Sequence, residues 1–284
     1  MIMKHKLGRS IAPCAASTLV LMLLATSALA QSSKLKNVDL CNGKDRTSVE
    51  SQILGCTALI ESGIENSQTL VIAYNNRGTA YNSTNKYDLA IKDFDESIKL
   101  NPNFAKTFNN RGVAYQKKGE YDRAIKDFDA ALVINPEYVN AFANRAATYE
   151  KKGDYARAVK DLDEAIRLQP TLVGVRNERC WARAIIGELQ AALVDCNEAI
   201  KLAPNDAASF DSRGLTYLKL GQWAPAIADF NSALRLNSKL ATSLYGRGLA
   251  KLKMGDQAGG DADIAAAKTV AQNIAGEFVR YGVN

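Results

Sequence analysis

Histidine is almost missing from this chain. The one residue of that type, His5, stands in an N-terminal segment that reads as a removable export signal. The mature chain then has none, which excludes Ser-His-Asp and Cys-His catalysis and every histidine-ligated metal site. A Gly-rich phosphate loop is also absent. The acids recur at repeated helical positions, whereas a catalytic pair would break the period. The chain is therefore read as no enzyme, with no metal and no cofactor.

Long apolar runs are equally scarce. The stretch Leu19-Val20-Leu21-Met22-Leu23-Leu24 is too short, and its flanks too rich in Ala and Ser, to span a membrane. It follows Lys4, Lys6 and Arg9 and precedes Ala28-Leu29-Ala30. A basic start, an apolar stretch and a small-x-small site make a secretory signal cleaved after Ala30. Cys14 precedes the apolar run and follows a proline, which disfavours a lipid-modified cysteine. Cleavage removes three basic residues and no acid, so the net charge falls from +6 to +3. That surplus is mild and forms no concentrated basic face, so nucleic acid is not an expected partner. Lys117-Lys118 and Lys151-Lys152 read as cations closing helix C-termini.

What the chain does have is a period. Arg77, Arg111, Arg145, Arg179, Arg213 and Arg247 are spaced 34 residues apart. Asp93, Asp127, Asp161, Asp195, Asp229 and Asp263 keep the same step. A fixed period of this length marks a repeat array, in which each unit is too small to bury its apolar face alone and stacking makes the core. Each Arg falls on the first helix of a unit and each Asp on the second. An unpaired buried cation is costly, so the two rows are read as a structural ladder of ion pairs, within a unit or to the next. The competing reading is an anion-binding row.

The residues around each Arg carry a recognisable pattern. With position one at Val71, Ala105, Val139, Val173, Ala207 and Ala241, the eighth is Gly78, Gly112, Ala146, Cys180, Gly214 and Gly248. The eleventh is Tyr81, Tyr115, Tyr149, Arg183, Tyr217 and Lys251, and the twentieth is Ala in every unit but the last, which has Gly260. Pro102, Pro136, Pro170 and Pro204 close the units, and Ser238 replaces the fifth. This resembles the tetratricopeptide repeat, over about residues 71 to 270. The fourth unit departs most, with Arg176 and Arg183 in place of aromatics, and Arg replaces the motif's Leu throughout. The resemblance implies an all-α, right-handed solenoid of six helix-turn-helix repeats. Residues 31–70 are then an N-terminal cap, read as a lone second helix, and residues 271–284 a C-terminal capping helix.

Within a unit, Gly119, Gly153, Gly187, Gly221 and Gly255 are expected to end the first helix in the left-handed conformation, with Asn85 in that role in the first unit. The acids after them, Glu120, Asp154, Glu188 and Asp256, suit the next helix start.

Four cysteines survive cleavage: Cys41, Cys56, Cys180 and Cys196. An even count in an exported chain points to disulfides, with three pairings open. A solenoid keeps distant units apart, which favours Cys41–Cys56 and Cys180–Cys196. In the resembled fold Cys180 and Cys196 occupy positions that face each other between the two helices. Free buried thiols remain the alternative, and the spacings match no ordinary zinc-ligand pair.

Family geometry also implies a concave groove lined by the first helices. Its candidates are Asn75, Asn109, Val113, Gln116, Asn177, Trp181, Ile185, Asp211, Leu215, Leu218 and Tyr245. It is polar in the first three units and more apolar in the last three. Amides suit a peptide backbone, and the apolar half suits a hydrophobic anchor. The alternative is that the terminal helix, or a neighbouring one, covers the apolar half. A clamp for a C-terminal carboxylate is not supported, because Asn75, Thr79 and Asn144 stand where Lys, Asn and Arg would be needed. The expectation is a periplasmic or secreted monomer, similar to exported bacterial proteins of this family. It would bind a protein or peptide partner without stable membrane insertion, in the service of envelope assembly. The alternative is a structural protein that self-associates through its ends.

Overall fold

The computed structural model describes residues 31–44, 47–63 and 66–283, and every regular element of any length there is an α-helix. The segment ending at Ala30, read above as an export signal, lies outside the described residues. The chain divides into two units, one ending at Pro102 and the other beginning at Asn103.

In the first unit, α1 covers residues 31–41. It is followed by α2 (Val49–Glu61), α3 (Ser67–Ser83) and α4 (Tyr87–Leu100). Ser48 caps α2 by accepting from the Ser51 amide, and Asn66 caps α3 by accepting from that of Thr69. The lone helix expected at the N-terminus has a partner: α1 folds against α2, and Cys41 and Cys56 join them with Cα atoms 4.5 Å apart. Gly55 permits this approach, since a Cβ there would stand 2.5 Å from Cβ of Leu40. Gln52 and Asn76 both donate to the Cys41 carbonyl, at 3.1 and 3.2 Å. The end of α1 is thereby tied to α2 and α3.

The second unit runs through α5 (Ala105–Lys117), α6 (Tyr121–Ile134), α7 (Val139–Lys151), α8 (Tyr155–Leu168), α9 (Val173–Ile186) and α10 (Leu189–Leu202). It continues with α11 (Ala207–Lys219), α12 (Trp223–Leu236), α13 (Ala241–Lys253), α14 (Gln257–Val270) and α15 (Ile274–Arg280). Odd and even helices pair, and α5, α7, α9, α11 and α13 form one layer in which α9 touches α11 and α11 touches α13.

One local device recurs at the core of three of the pairs. There the first helix has Gly and the second sends a phenylalanine ring onto it, whereas Gly248 of α13 meets Ile264 of α14. A Cβ on Gly112 would lie 2.7 Å from the Phe128 ring, and one on Gly214 2.6 Å from Phe230. Gly78 and Phe94 repeat this in the first unit at 2.7 Å. The missing side chain lets the helices approach, and the fully buried phenylalanines fill the space. Cys180 and Cys196 occupy the same two places between α9 and α10, with Cα atoms 5.4 Å apart, and a disulfide replaces the glycine–ring contact.

The turns obey the backbone rule stated above. Gly187 ends α9 at φ 89°, and Asn85 ends the first helix of its pair at φ 60°, in the left-handed region that Gly and Asn tolerate best. The acids after the turns behave in two ways. Asp154 and Asp256 cap the next helix by accepting amide hydrogens from Arg157 and Gly259. Glu120 and Glu188 make no such bond. Glu120 instead pairs with Lys118 and Arg123.

Candidate functional site

The ladder is built from forks. Each repeated Arg donates through Nε and Nη2 to both oxygens of the Asp sixteen residues on. Arg77 meets Asp93 at 2.8 and 2.7 Å, and Arg111 meets Asp127 at the same distances. Arg145 meets Asp161 at 2.8 and 2.6 Å. Arg179 holds Asp195, Arg213 holds Asp229 and Arg247 holds Asp263 in the same way. Bidentate pairs of this kind are the strong form of ion pair.

The remaining nitrogen, Nη1, bonds one pair back. Arg145 reaches Asp129, Arg179 reaches Asp163 at 2.7 Å, and Arg213 and Arg247 reach Asn197 and Asn231 at 2.8 Å. The ladder thus runs both within and between repeats of the second unit. In the first unit, Nη1 of Arg77 donates to Thr57 of α2 at 3.0 Å. Asp129, Asp163, Asn197 and Asn231 carried no place in the sequence reading. Each stands two residues after a ladder Asp, which is the signal that could have found them.

Aromatic rings flank the guanidinium groups. Phe108 and Tyr115 lie 5.7 and 5.9 Å from that of Arg111, one turn to either side on the same helix face. Where the Tyr is replaced, a cation joins the pair instead. Arg183 donates to Asp195 at 2.8 Å and to Asp163 at 3.0 Å, and Lys251 pairs with Asp263 at 2.9 Å.

The groove candidates divide by surroundings. In the first unit Asn75 is buried. Asn109 is also buried and accepts from Asn144 at 2.9 Å, while Gln116 donates to Thr148 at 2.8 Å. Asn109 and Gln116 are thus committed to the neighbouring pair, with Val113 half-buried beside them. Leu215 and Leu218 are buried within the cluster formed by α11 to α15. Ile185 is half-buried.

The terminal helix explains this burial. From α15, Phe278 lies 4.7 Å from the Tyr245 ring, and Tyr281, just beyond the helix, meets Trp181 edge-on at 5.1 Å. Lys219 donates to the Tyr281 carbonyl at 2.7 Å and to that of Ile185 at 3.0 Å. Burial pushes the Lys219 pKa down. α15 therefore rests against the first-helix layer, and its anchors Ile274, Phe278 and Tyr281 follow helical spacing.

Beyond Tyr281 the layer stays open as a cavity of about 250 Å³, lined by Glu150 of α7, by Asn177, Glu178 and Trp181 of α9, by Asp211 of α11 and by Thr242 of α13. Burial, with the nearby Glu178 charge, pushes the Glu150 carboxyl up to about 8 against the pull of Lys151. Burial likewise raises Glu178, and it pushes Asp211 up to about 6 although the Ser243 and Thr242 hydroxyls donate to it. Glu178 and Thr242 were not singled out from the sequence, because neither breaks the pattern of an ordinary helix surface.

Sequence profiles of the tetratricopeptide repeat match residues 71–104, 105–138 and 139–172, and a further profile of the same repeat matches residues 214–255. No curated protein matches the chain. Among solved structures, a tetratricopeptide repeat protein from Parabacteroides merdae is similar at 20% identity with a TM-score of 0.66, over 89% of this chain and all of that one. YrrB, described as a TPR protein with an unusual peptide-binding site, is 22% identical with a TM-score of 0.58, over 68% of this chain and 97% of its own. PilW, described as a type IV pilus biogenesis factor, is 18% identical with a TM-score of 0.63, over 70% of this chain and 92% of its own.

Proposed function

The chain belongs to the tetratricopeptide-repeat family, and from that premise we propose that it is an exported, non-enzymatic scaffold for a protein partner. It holds a peptide or helix of that partner against the first helices of its second unit. One observation carries this reading: the layer of α9, α11 and α13 already accepts a helix, α15, through Phe278 and Tyr281, and continues past it into an open cavity. Helix-in-groove recognition uses anchors of this spacing. The similarity to YrrB, whose description names a peptide-binding site, supports the same use of the fold. The signal motif ending at Ala30 supports export to the periplasm or beyond, and the similarity to PilW is compatible with work in envelope assembly.

A photo-crosslinking residue at Asn177, inside the groove, should trap a partner in the native envelope. The same residue at Val194, exposed on the opposite helix layer, should trap none. Equal trapping at both positions, or none at either, rejects the groove. Sedimentation of the purified mature chain as a monomer rejects the alternative of self-association through the ends.

A further inference from the structure

The cavity beside Trp181 is lined by carboxyl groups that no cation of the chain neutralises. Three carboxyl groups converge on it from three helices: Glu150, Glu178 and Asp211. Asp211 is only 7% exposed, and its oxygens receive two hydroxyl hydrogens, from Thr242 and Ser243, and no cation. Among the described residues, none of the three forms an ion pair with a lysine or arginine. Two arginines of α9, Arg179 and Arg183, pair with Asp195 and Asp163 in the ladder, and Arg183 also pairs with Glu188. Lys151 exerts a field on Glu150 without bonding to it.

A second observation is independent of the charge. Oε1 of Glu150 and Oδ1 of Asn177 are buried and have no hydrogen-bond partner. Buried acceptors are nearly always satisfied, and an orphan one calls for a donor. Both belong to residues that line this cavity. The opening therefore presents two unsatisfied acceptors, three carboxyl groups whose ionisation a bound cation would favour, and an indole wall. Among the described residues, no cluster of His, Cys, Asp and Glu has the arrangement of a metal site. About 250 Å³ is below the roughly 300–1,000 Å³ of pockets for drug-sized ligands, and suits a single long side chain. An ammonium or guanidinium supplies several donors at once, and an aromatic wall adds cation–π attraction.

We propose that this cavity receives a lysine or arginine side chain of the partner segment, so the partner is a peptide that is basic where it passes Trp181. The proposal rests on the groove being a partner-binding surface. It adds the sign of the partner's charge, opposite to the acidic C-terminus that a carboxylate clamp would select.

The test uses the full mature chain and three amidated peptides of alternating Ala with Lys, Gln or Glu. Binding is followed by isotope-edited NMR of the glutamate carboxyl carbons. The Lys peptide should bind, shift the Glu150 and Glu178 signals, and outcompete the Gln peptide by at least tenfold, with the Glu peptide inert. Glu150→Gln/Glu178→Gln should lose that preference at least tenfold. Glu164→Gln/Glu198→Gln, which removes the same charge from α8 and α10, should keep it. No shift with the Lys peptide would mean a water-filled cavity, and equal loss in both double variants would mean diffuse charge attraction; either overturns the proposal. The wild-type NMR shifts decide the matter even where a variant folds poorly. Should crosslinking at Asn177 still trap a partner after the Lys peptide has failed, the scaffold stands and the cationic site falls. Failure of crosslinking rejects the scaffold itself.

Discussion

Arg145 grips Asp161 of its own repeat with two nitrogens, at 2.8 and 2.6 Å, and turns the third back to Asp129 of the repeat before. One side chain thus bonds a pair of helices and ties that pair to its predecessor. Burial works against the Arg145 charge, but the Asp161 and Asp129 carboxylates outweigh it and hold its pKa above the ordinary arginine value.

Removing the cation should therefore hurt more than losing a surface ion pair. Asp161 has a side chain only 8% exposed, and Arg145→Ala strands it without a partner. The expected loss is about 3–5 kcal/mol, the range for breaking a buried pair from one side. Arg145→Ala/Asp161→Ala should recover part of that loss. Urea denaturation of the single and double variants measures both, and identical stabilities for wild type and Arg145→Ala would show that the pair contributes nothing.

The disulfide at Cys180 and Cys196 stands where the next repeat places Gly214 and Phe230. Replacing both cysteines with Ala leaves that gap unfilled and removes a closed loop of sixteen residues, worth about 3 kcal/mol in the chain-entropy picture. Cys180→Gly/Cys196→Phe restores the pair seen at Gly112 and Phe128, and should be more stable than the double Ala variant and indifferent to reductant. Melting with and without dithiothreitol tests this. A Gly/Phe variant no better than Ala/Ala would mean that α9 and α10 cannot close to ring-contact distance.

Trp181 meets Tyr281 edge-on at 5.1 Å, so its environment depends on the C-terminal residues. Tyr281→Ala should red-shift the Trp181 emission and cost roughly 1 kcal/mol beyond lost area, the usual worth of an aromatic pair. Trp223→Phe removes the second tryptophan signal. An unchanged spectrum in the Trp223→Phe background would show that Tyr281 does not cover the indole.

The ladder was legible because its arginines and aspartates repeat in step, and an apolar slot filled by Arg demands a partner. Its backward bonds were not. Asp129 and Asp163 resemble solvated acids on a helix surface, and the same place becomes Asn at 197 and 231, so no residue type repeats throughout. The glycine–ring pairs were half visible: Gly112 and Phe128 recur separately, but only the folded contact explains why one is small and the other large. Family geometry gave places to the groove candidates and left their burial open. The cover over Trp181 comes from Tyr281, far along the chain, and no local pattern announces it. Glu178 lacks any periodic signature, so the carboxyl cluster emerges only once α7, α9 and α11 are side by side.

That cluster makes a pH prediction whose sign is opposite to the usual one for acids. A carboxyl with a raised folded pKa binds its proton more tightly in the folded state. Its contribution is fully present below the unfolded pKa and is lost as pH rises through the folded value. For Glu150 the window runs from its ordinary 4.5 to about 8, and for Asp211 from 3.8 to about 6. Asp263, pulled down by Arg247 and Lys251 despite its burial, acts in the other direction, so the whole-protein melting curve mixes both signs. The difference between Glu150→Gln and wild type isolates one group. That difference should be smallest near pH 4.5 and should grow in favour of the variant up to about pH 8, because Gln keeps the shape and never ionises. Glu178→Gln should shrink it at neutral pH, since the Glu178 charge is one cause of the Glu150 shift. Thermal melts of wild type and the single and double variants from pH 4.5 to 8.5 measure the effect. A difference flat with pH would mean that Glu150 ionises as a solvated carboxylate.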